Sequence, residues 1–249
     1  MGDEYDKSTY SGMRYGDRWD FGGQERRDQR AQAVLAYAKS GIRARAFCLY
    51  LRPFDSTGRL PVTNVAAVGM DAISQDTDFE MILRKALARP DRLRSRRSGW
   101  SLWSTLDLVG LGYGEPMLGA GRAYSTDAEW REAFTALAEV AELIVVVPSA
   151  HPGTLFELSW LAERDMWAKT ILVMPEAVPP EQETIERRWN DARAAAGAAG
   201  IILPAYERKG LLFKIDATGA VLARRALRLC YQLFRVTKLR HDISELRLV

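Results

Sequence analysis

Glu157 is the residue of this sequence best placed to do chemistry. It follows an apolar β-branched run, Leu143 to Val147, and a group of backbone breakers, Pro148, Pro152 and Gly153. It also stands three residues after Thr154, which the pattern takes as the opening of a helix. A buried strand that runs straight into a helix N-terminus is where open α/β proteins hold ligands. One carboxylate at such an edge suits cleavage of a ribosyl C–N bond, because positive charge develops on the sugar ring and a fixed anion stabilises it. A base that is already cationic, such as a pyridinium, leaves without an acid. The same spacing, Thr154-x-x-Glu157, is equally a capping box, in which the glutamate only satisfies backbone N–H groups. Both readings stand at this level.

Residues around Glu157 supply what a nucleotide would need. Arg52 and Arg122 are placed to pair with a pyrophosphate, and the amides of the glycine-rich segment 112–125, Gly114 among them, are placed to add donors. Phe54 and Trp160 offer rings for a base, although the plainer reading of both is core packing. His151 is a candidate proton donor to a neutral leaving base. The chain has only two histidines and no ligand spacing for zinc, so no metal is expected. Gly112-Tyr-Gly114 lacks the third glycine of a dinucleotide fingerprint, and no phosphate-loop lysine or nucleophile elbow is present.

These residues need elements to carry them. Ala46 to Leu51 reads as a first buried strand stopped by Pro53, and Thr105 to Leu111 as a second. Leu143–Val147, Thr170–Met174 and Leu211–Ile215 supply three more. Helices are expected over about 30–40, over 78–88 (Phe79, Ile82, Leu83, Ala86 and Leu87 inward), after Thr126 with Glu129 as a capping box, after Thr154, from Glu181, and over about 220–236 with Val221 and Leu222 buried. Strands alternating with helices imply a parallel five-stranded sheet with helices on both faces, whose strand ends bring 52–55, 112–122 and 151–157 together.

Composition sets wider bounds. An apolar share of 47% over 249 residues supports a full core, and a net charge of +3 gives no strong nucleic-acid signal. No apolar stretch reaches membrane-spanning length, the start lacks a signal pattern, and Cys48 and Cys230 read as buried thiols; a cytoplasmic protein is expected. Residues 1–30 read as a mobile or partner-dependent arm. The α/β domain then covers 31–236, with an Arg-rich insertion at 89–103 (Arg89 to Arg97 reading as a solvated run) and an extension from 176; 237–249 reads as a tail.

Tyr50-Leu-Arg-Pro-Phe-Asp55, Gly114-Glu-Pro116, Gly119-Ala-Gly-Arg122, Trp130 and Gly153-Thr154-x-x-Glu157-Leu158, in this order, resemble bacterial TIR-like proteins of the group with a Leu-Arg-Pro-Phe first strand. The resemblance spans about 47–175. It implies a flavodoxin-like fold, cleavage of NAD as substrate rather than cofactor, and a role in antiviral defence. It further implies Glu157 as the catalytic glutamate, Arg52 and Asp55 as the first-strand pair, a gating loop at 112–125, and activation by homo-oligomerisation or a protein partner. Pro152-Gly153-Thr154 stands where TIR enzymes usually carry a Trp/Ser-Cys pair. The Gly-Thr-x-x-Glu pattern is instead similar to nucleoside deoxyribosyltransferases, which implies nucleosides or nucleotides as alternative substrates. A non-catalytic scaffold, with Glu157 as a cap alone, is the third expectation.

Overall fold

The computed structural model describes residues 21–42, 45–52, 60–62, 77–88, 106–112, 119–177, 181–230 and 234–249. In chain order the elements are α1 (Phe21–Lys39), β1 (Phe47–Leu51), β2 (Pro61–Val62), β3 (Thr77–Asp78), α2 (Phe79–Leu87), β4 (Asp107–Gly112), β5 (Gly121–Tyr124), α3 (Trp130–Val140), β6 (Leu143–Val146), α4 (Pro152–Glu163), β7 (Thr170–Met174), α5 (Gln182–Ala198), β8 (Leu211–Ile215), β9 (Val221–Ala226) and α6 (Arg235–Leu246). The insertion 89–103 lies outside the described residues.

The class is α/β, and the sheet is larger than the alternation of elements implies. It has seven strands in the order β5-β4-β1-β6-β7-β8-β9. Pairings from β5 to β7 are parallel, whereas β7–β8 and β8–β9 are antiparallel. The two unforeseen strands of this sheet are both edges, and β2 pairs with β3 in a separate two-stranded sheet. β5 begins in a glycine-rich stretch that reads as loop, and β9 carries the Ala-Arg-Arg-Ala pattern that reads as helix. At β9 a turn decides: Asp216 accepts hydrogen bonds from the Thr218 and Ala220 N–H groups (2.8 and 3.0 Å), folding the chain back onto β8. Val221 and Leu222, expected inside, are exposed. Pairing to a neighbour overrides helix propensity there.

Helices cover both faces. α1, α3, α4 and α5 pack with Phe47, Leu49, Leu51, Ile144 and Val146 on one side; α2 and α6 pack with Cys48, Tyr50, Leu143 and Val145 on the other. The alternation along β1 follows from its pleat, since successive side chains point to opposite faces. Most of the segment 237–249, which reads as a tail, belongs to α6, whose Leu239, Ile243 and Leu246 are buried. α1 starts at Phe21, inside the stretch taken as an arm.

Each sheet edge is closed by side chains. Gln24, Asp28 and Gln32, four residues apart on α1, serve the outer edge of β5: Gly119, Arg122 and Tyr124 donate their N–H groups to them at 3.0, 2.8 and 2.9 Å, and Gln24 donates to the Ala120 carbonyl at 2.8 Å. From Asp28 to Gln32 a four-residue helix step (~6 Å) nearly equals the two-residue strand step (~6.7 Å) from Arg122 to Tyr124, so these two pairs stay in phase. At the opposite edge Arg225 and Lys238 donate to the Arg224 and Ala226 carbonyls (2.9 and 2.6 Å), which blunts β9 against further pairing. α1 lies so close to β5 that a Cβ at Gly121 would stand 2.3 Å from the Arg27 carbonyl oxygen. Gly121→Ala is therefore expected to lift α1 and lower stability by about 1–3 kcal/mol, measured by urea unfolding; an unchanged midpoint would refute the close approach.

Lys169 closes α3. It stands beside β7 and donates to the carbonyls of Ala138, Glu139 and Ala141 at 2.8, 2.9 and 3.0 Å, placing a cation at the negative end of that helix. Burial lowers its pKa below the usual lysine range. Lys169→Met should lower stability by about 1–2 kcal/mol and Tm by about 2–8 °C, read by calorimetry.

Candidate active site

The chain leaves β1 toward β4 on one side, and its later strand β6 lies on the other side of β1. The C-terminal ends of β1 and β6 thus form the switch point at which open α/β sheets take ligands. They are tied together: the Val147 N–H donates to the Leu51 carbonyl at 2.9 Å. Arg52 follows directly from β1, and Pro148 to His151 leads from β6 into α4.

α4 starts one turn earlier than the Thr154-x-x-Glu157 pattern suggests. Pro152 occupies the first turn, where a missing N–H costs nothing, and His151 is the N-cap, its Nδ1 accepting the Gly153 N–H at 3.1 Å. His151 therefore organises the helix start; the proton donor role expected of it has no support in this contact. Thr154 is fully buried and its hydroxyl is 2.9 Å from Ser149 Oγ, which pins the strand-end loop to the helix. Ser149, whose hydroxyl also accepts the His151 N–H at 3.3 Å, is missing from the sequence reading, where Ser in a loop carries no distinctive signal.

Glu157 is the sixth helical residue, beyond the reach of a capping role. Its side chain is 2% exposed, and Oε2 has no hydrogen-bond partner among the described residues. Burial pushes its carboxyl well above the usual carboxylate range. The capping-box reading is thus overturned. At Thr126 the same motif also fails: α3 begins at Trp130, and its N-cap Glu129 makes no side-chain capping bond.

The arginines lie elsewhere. Tyr50, Gly110 and Arg122 occupy one row across β1, β4 and β5. Gly110 has no side chain, and Arg122 Nη1 sits 3.4 Å from where its Cβ would be, so the guanidinium lies across the strand. It reaches Glu80 in the first turn of α2: Arg122 Nη2 donates to Glu80 Oε1 at 2.9 Å, and the Ala120 N–H donates to the same oxygen at 2.6 Å. Both side chains are buried. Arg122, expected to hold pyrophosphate, is committed to this ion pair on the α2 face. Arg52 is half-buried and belongs to the same group; burial first, then the Arg122 charge, lowers its pKa, while Glu80, Tyr50 and Asp78 oppose this. α4 packs on the opposite face of the sheet, so the structure does not pair either arginine with Glu157.

Glu80 is the residue sequence reasoning overlooked most clearly. Its signal was available, since it precedes Leu83 and Leu87 by three and seven positions and thus shares their buried stripe. Trp160, 8% exposed, packs edge-on to Phe134 at 5.3 Å with Arg164 over its ring, which makes it a core residue rather than a platform for a base. Phe54, Asp55 and Gly114 lie outside the described residues. Among the described residues no group of histidine, cysteine, aspartate or glutamate side chains is arranged for a metal ion, and no helix is long and apolar enough to cross a membrane. Cys48 and Cys230 are buried free thiols.

Comparison with protein-family models, with curated proteins and with solved structures yields no match.

Proposed function

We propose that this chain is a TIR-like N-glycosidase of flavodoxin-like descent, acting on the nicotinamide–ribose bond of NAD through Glu157, in the cytoplasm, as a defence or signalling effector activated by self-assembly or a protein partner. One observation carries the reading. Glu157 is a buried carboxyl at the switch-point edge whose Oε2 lacks a partner among the described residues, although native interiors rarely leave such a group without a reason. Its burial and raised pKa, in a helix that leaves the ligand edge, are the marks of a group kept for chemistry. The test is nicotinamide release by purified protein and by Glu157→Gln: turnover that survives the exchange removes Glu157 from the mechanism.

The raised pKa also favours a second reading. A carboxyl that burial makes hold its proton to higher pH than an ordinary carboxylate is suited to protonate a neutral base as it leaves, which is the requirement of a nucleoside or nucleotide substrate of the deoxyribosyltransferase kind. Release of free bases from nucleosides, with NAD untouched, would select it. The scaffold reading is the third; it no longer draws on Glu157 as a helix cap, since His151 holds that position.

A further inference from the structure

At the β9 end of the sheet the chain carries positive charge that it does not answer itself. β9, the turns beside it and the start of α6 hold Arg208, Lys209, Arg224, Arg225, Arg228 and Lys238. Glu207, Glu245 and Asp242 pair with Arg224, Arg225 and Lys238. Arg208, Lys209 and Arg228 are exposed and make no ion pair among the described residues, and Arg208 donates to the neutral Gln182. Their frame is rigid. The Arg228 N–H donates to the Lys209 carbonyl at 2.9 Å and the Leu227 N–H to the Gly210 carbonyl at 3.0 Å, which sets Lys209 against Arg228. A Cβ at Gly210 would stand 2.7 Å from the Glu176 N, and the Cys230 N–H donates to Glu176 Oε2 at 2.8 Å, so both turns are wedged against the end of β7.

Arg228 is costly to the fold in two ways. Its backbone is left-handed, φ 45°, a conformation glycine adopts freely and other residues resist. Its charge also faces that of Lys209, and like charges on paired strands repel. Its guanidinium makes no hydrogen bond among the described residues, so nothing inside the molecule offsets either cost. An apolar side chain adjoins these cations. Phe234, the N-cap of α6, is 77% exposed, more than any other large apolar side chain described. Its carbonyl accepts the Lys238 N–H at 3.0 Å, and Lys238 Nζ donates at 2.6 Å to the Ala226 carbonyl, two positions before Arg228.

We infer that the Lys209–Arg228 tip, with Arg208 and Phe234, docks this protein on an anionic lipid bilayer. Acidic headgroups answer the open cations, and the phenyl ring enters the boundary between headgroups and acyl chains. This is contact with a surface; no helix among the described residues is long and apolar enough to cross a membrane. Duplex nucleic acid fits less well, because its binding draws on many phosphate contacts and a chain of net charge +3 offers few. An acidic peptide strand added to β9 is disfavoured too, since Arg225 and Lys238 already occupy the Arg224 and Ala226 carbonyls. The inference is independent of Glu157 and of the enzymatic reading.

The experiment is co-sedimentation of the full chain with vesicles of phosphatidylcholine alone and of phosphatidylcholine mixed with phosphatidylserine, at low and at high salt. Binding is expected to the phosphatidylserine vesicles and not to the others, and to weaken as salt screens the headgroups. Each cation at such a surface is worth about fivefold in affinity, so Arg228→Gly should bind about fivefold more weakly and Lys209→Ser with Arg228→Gly about twenty-five-fold. Glycine is at home at the left-handed position, so Arg228→Gly removes the charge while keeping the fold, which circular dichroism checks. Phe234→Ser, at an exposed position, should also keep the fold and weaken binding about tenfold. Equal binding to both kinds of vesicle, no binding to phosphatidylserine at low salt, or either single variant binding like the wild type would each overturn the inference. Retention on duplex DNA with both kinds of vesicle ignored would overturn it in favour of nucleic acid.

Discussion

Replacing Glu80 by alanine is expected to destabilise the fold by about 3–5 kcal/mol and to lower Tm by about 6–20 °C. The reason is what the exchange leaves behind. The Arg122 guanidinium lies across Gly110 with its side chain 3% exposed, and Glu80 is the carboxylate that holds it there. Without Glu80 a full positive charge remains desolvated, and the Ala120 N–H loses its acceptor as well. A paired exchange separates this cost from the value of the ion pair. Glu80→Met with Arg122→Met removes both charges and replaces them with side chains of similar volume, so it should recover most of the loss. Calorimetry of the two single variants and the double variant closes a cycle. A double variant no more stable than Glu80→Ala would show that the contact, rather than the stranded charge, sets the energy.

Glu157→Gln should act in opposite directions on activity and stability. If the carboxylate stabilises a developing ribosyl cation, its loss should lower kcat by about 10²–10³. Stability should rise, because a buried ionisable group with an open oxygen is a liability. Burial raises the folded-state pKa of Glu157 above its unfolded value. Below the ordinary carboxylate range both states hold the proton and the group is neutral throughout. As pH rises past that range, the unfolded chain ionises while the folded one keeps its proton, so wild-type stability falls until the raised pKa is passed. The amide does not titrate. The variant should therefore match the wild type near about pH 4 and exceed it by about 1–3 kcal/mol at alkaline pH. Urea unfolding across pH reads this directly, and a constant difference would refute the buried, uncompensated state. The same pKa should place the acidic limb of kcat/KM above the usual carboxylate range, with that of kcat lower, because a cationic substrate favours the ionised form.

How far the chain could be read differs between its elements for physical reasons. β7 and β8 were found to the residue, and β1, β4 and β6 to within two, because buried strands are continuous apolar runs that need no context. α2 was equally plain, its buried face at Phe79, Ile82, Leu83, Ala86 and Leu87 following the helical period. The edges were not legible. β5 and β9 exist because β4 and β8 offer them backbone partners, and neither Gly-Arg-Ala-Tyr nor Val-Leu-Ala-Arg-Arg-Ala shows a strand period. α1 is similar: its register on β5 depends on Gln24, Asp28 and Gln32 meeting N–H groups about a hundred positions away.

For the candidate site, the sequence alone determined that Glu157 lies on the helix leaving a buried strand at the ligand edge of an α/β sheet. That inference is local, since a run of β-branched residues, two prolines and a glycine dictate strand, break and helix in turn. Tertiary structure decided everything about its company. The pleat of β1 sends Tyr50 to the α2 face while α4 lies on the other, and Arg122 crosses a glycine to meet Glu80. Whether a carboxylate is paired or stranded depends on which groups three-dimensional packing brings within a few ångströms, and residues 42 positions apart leave no trace of that in one chain read end to end.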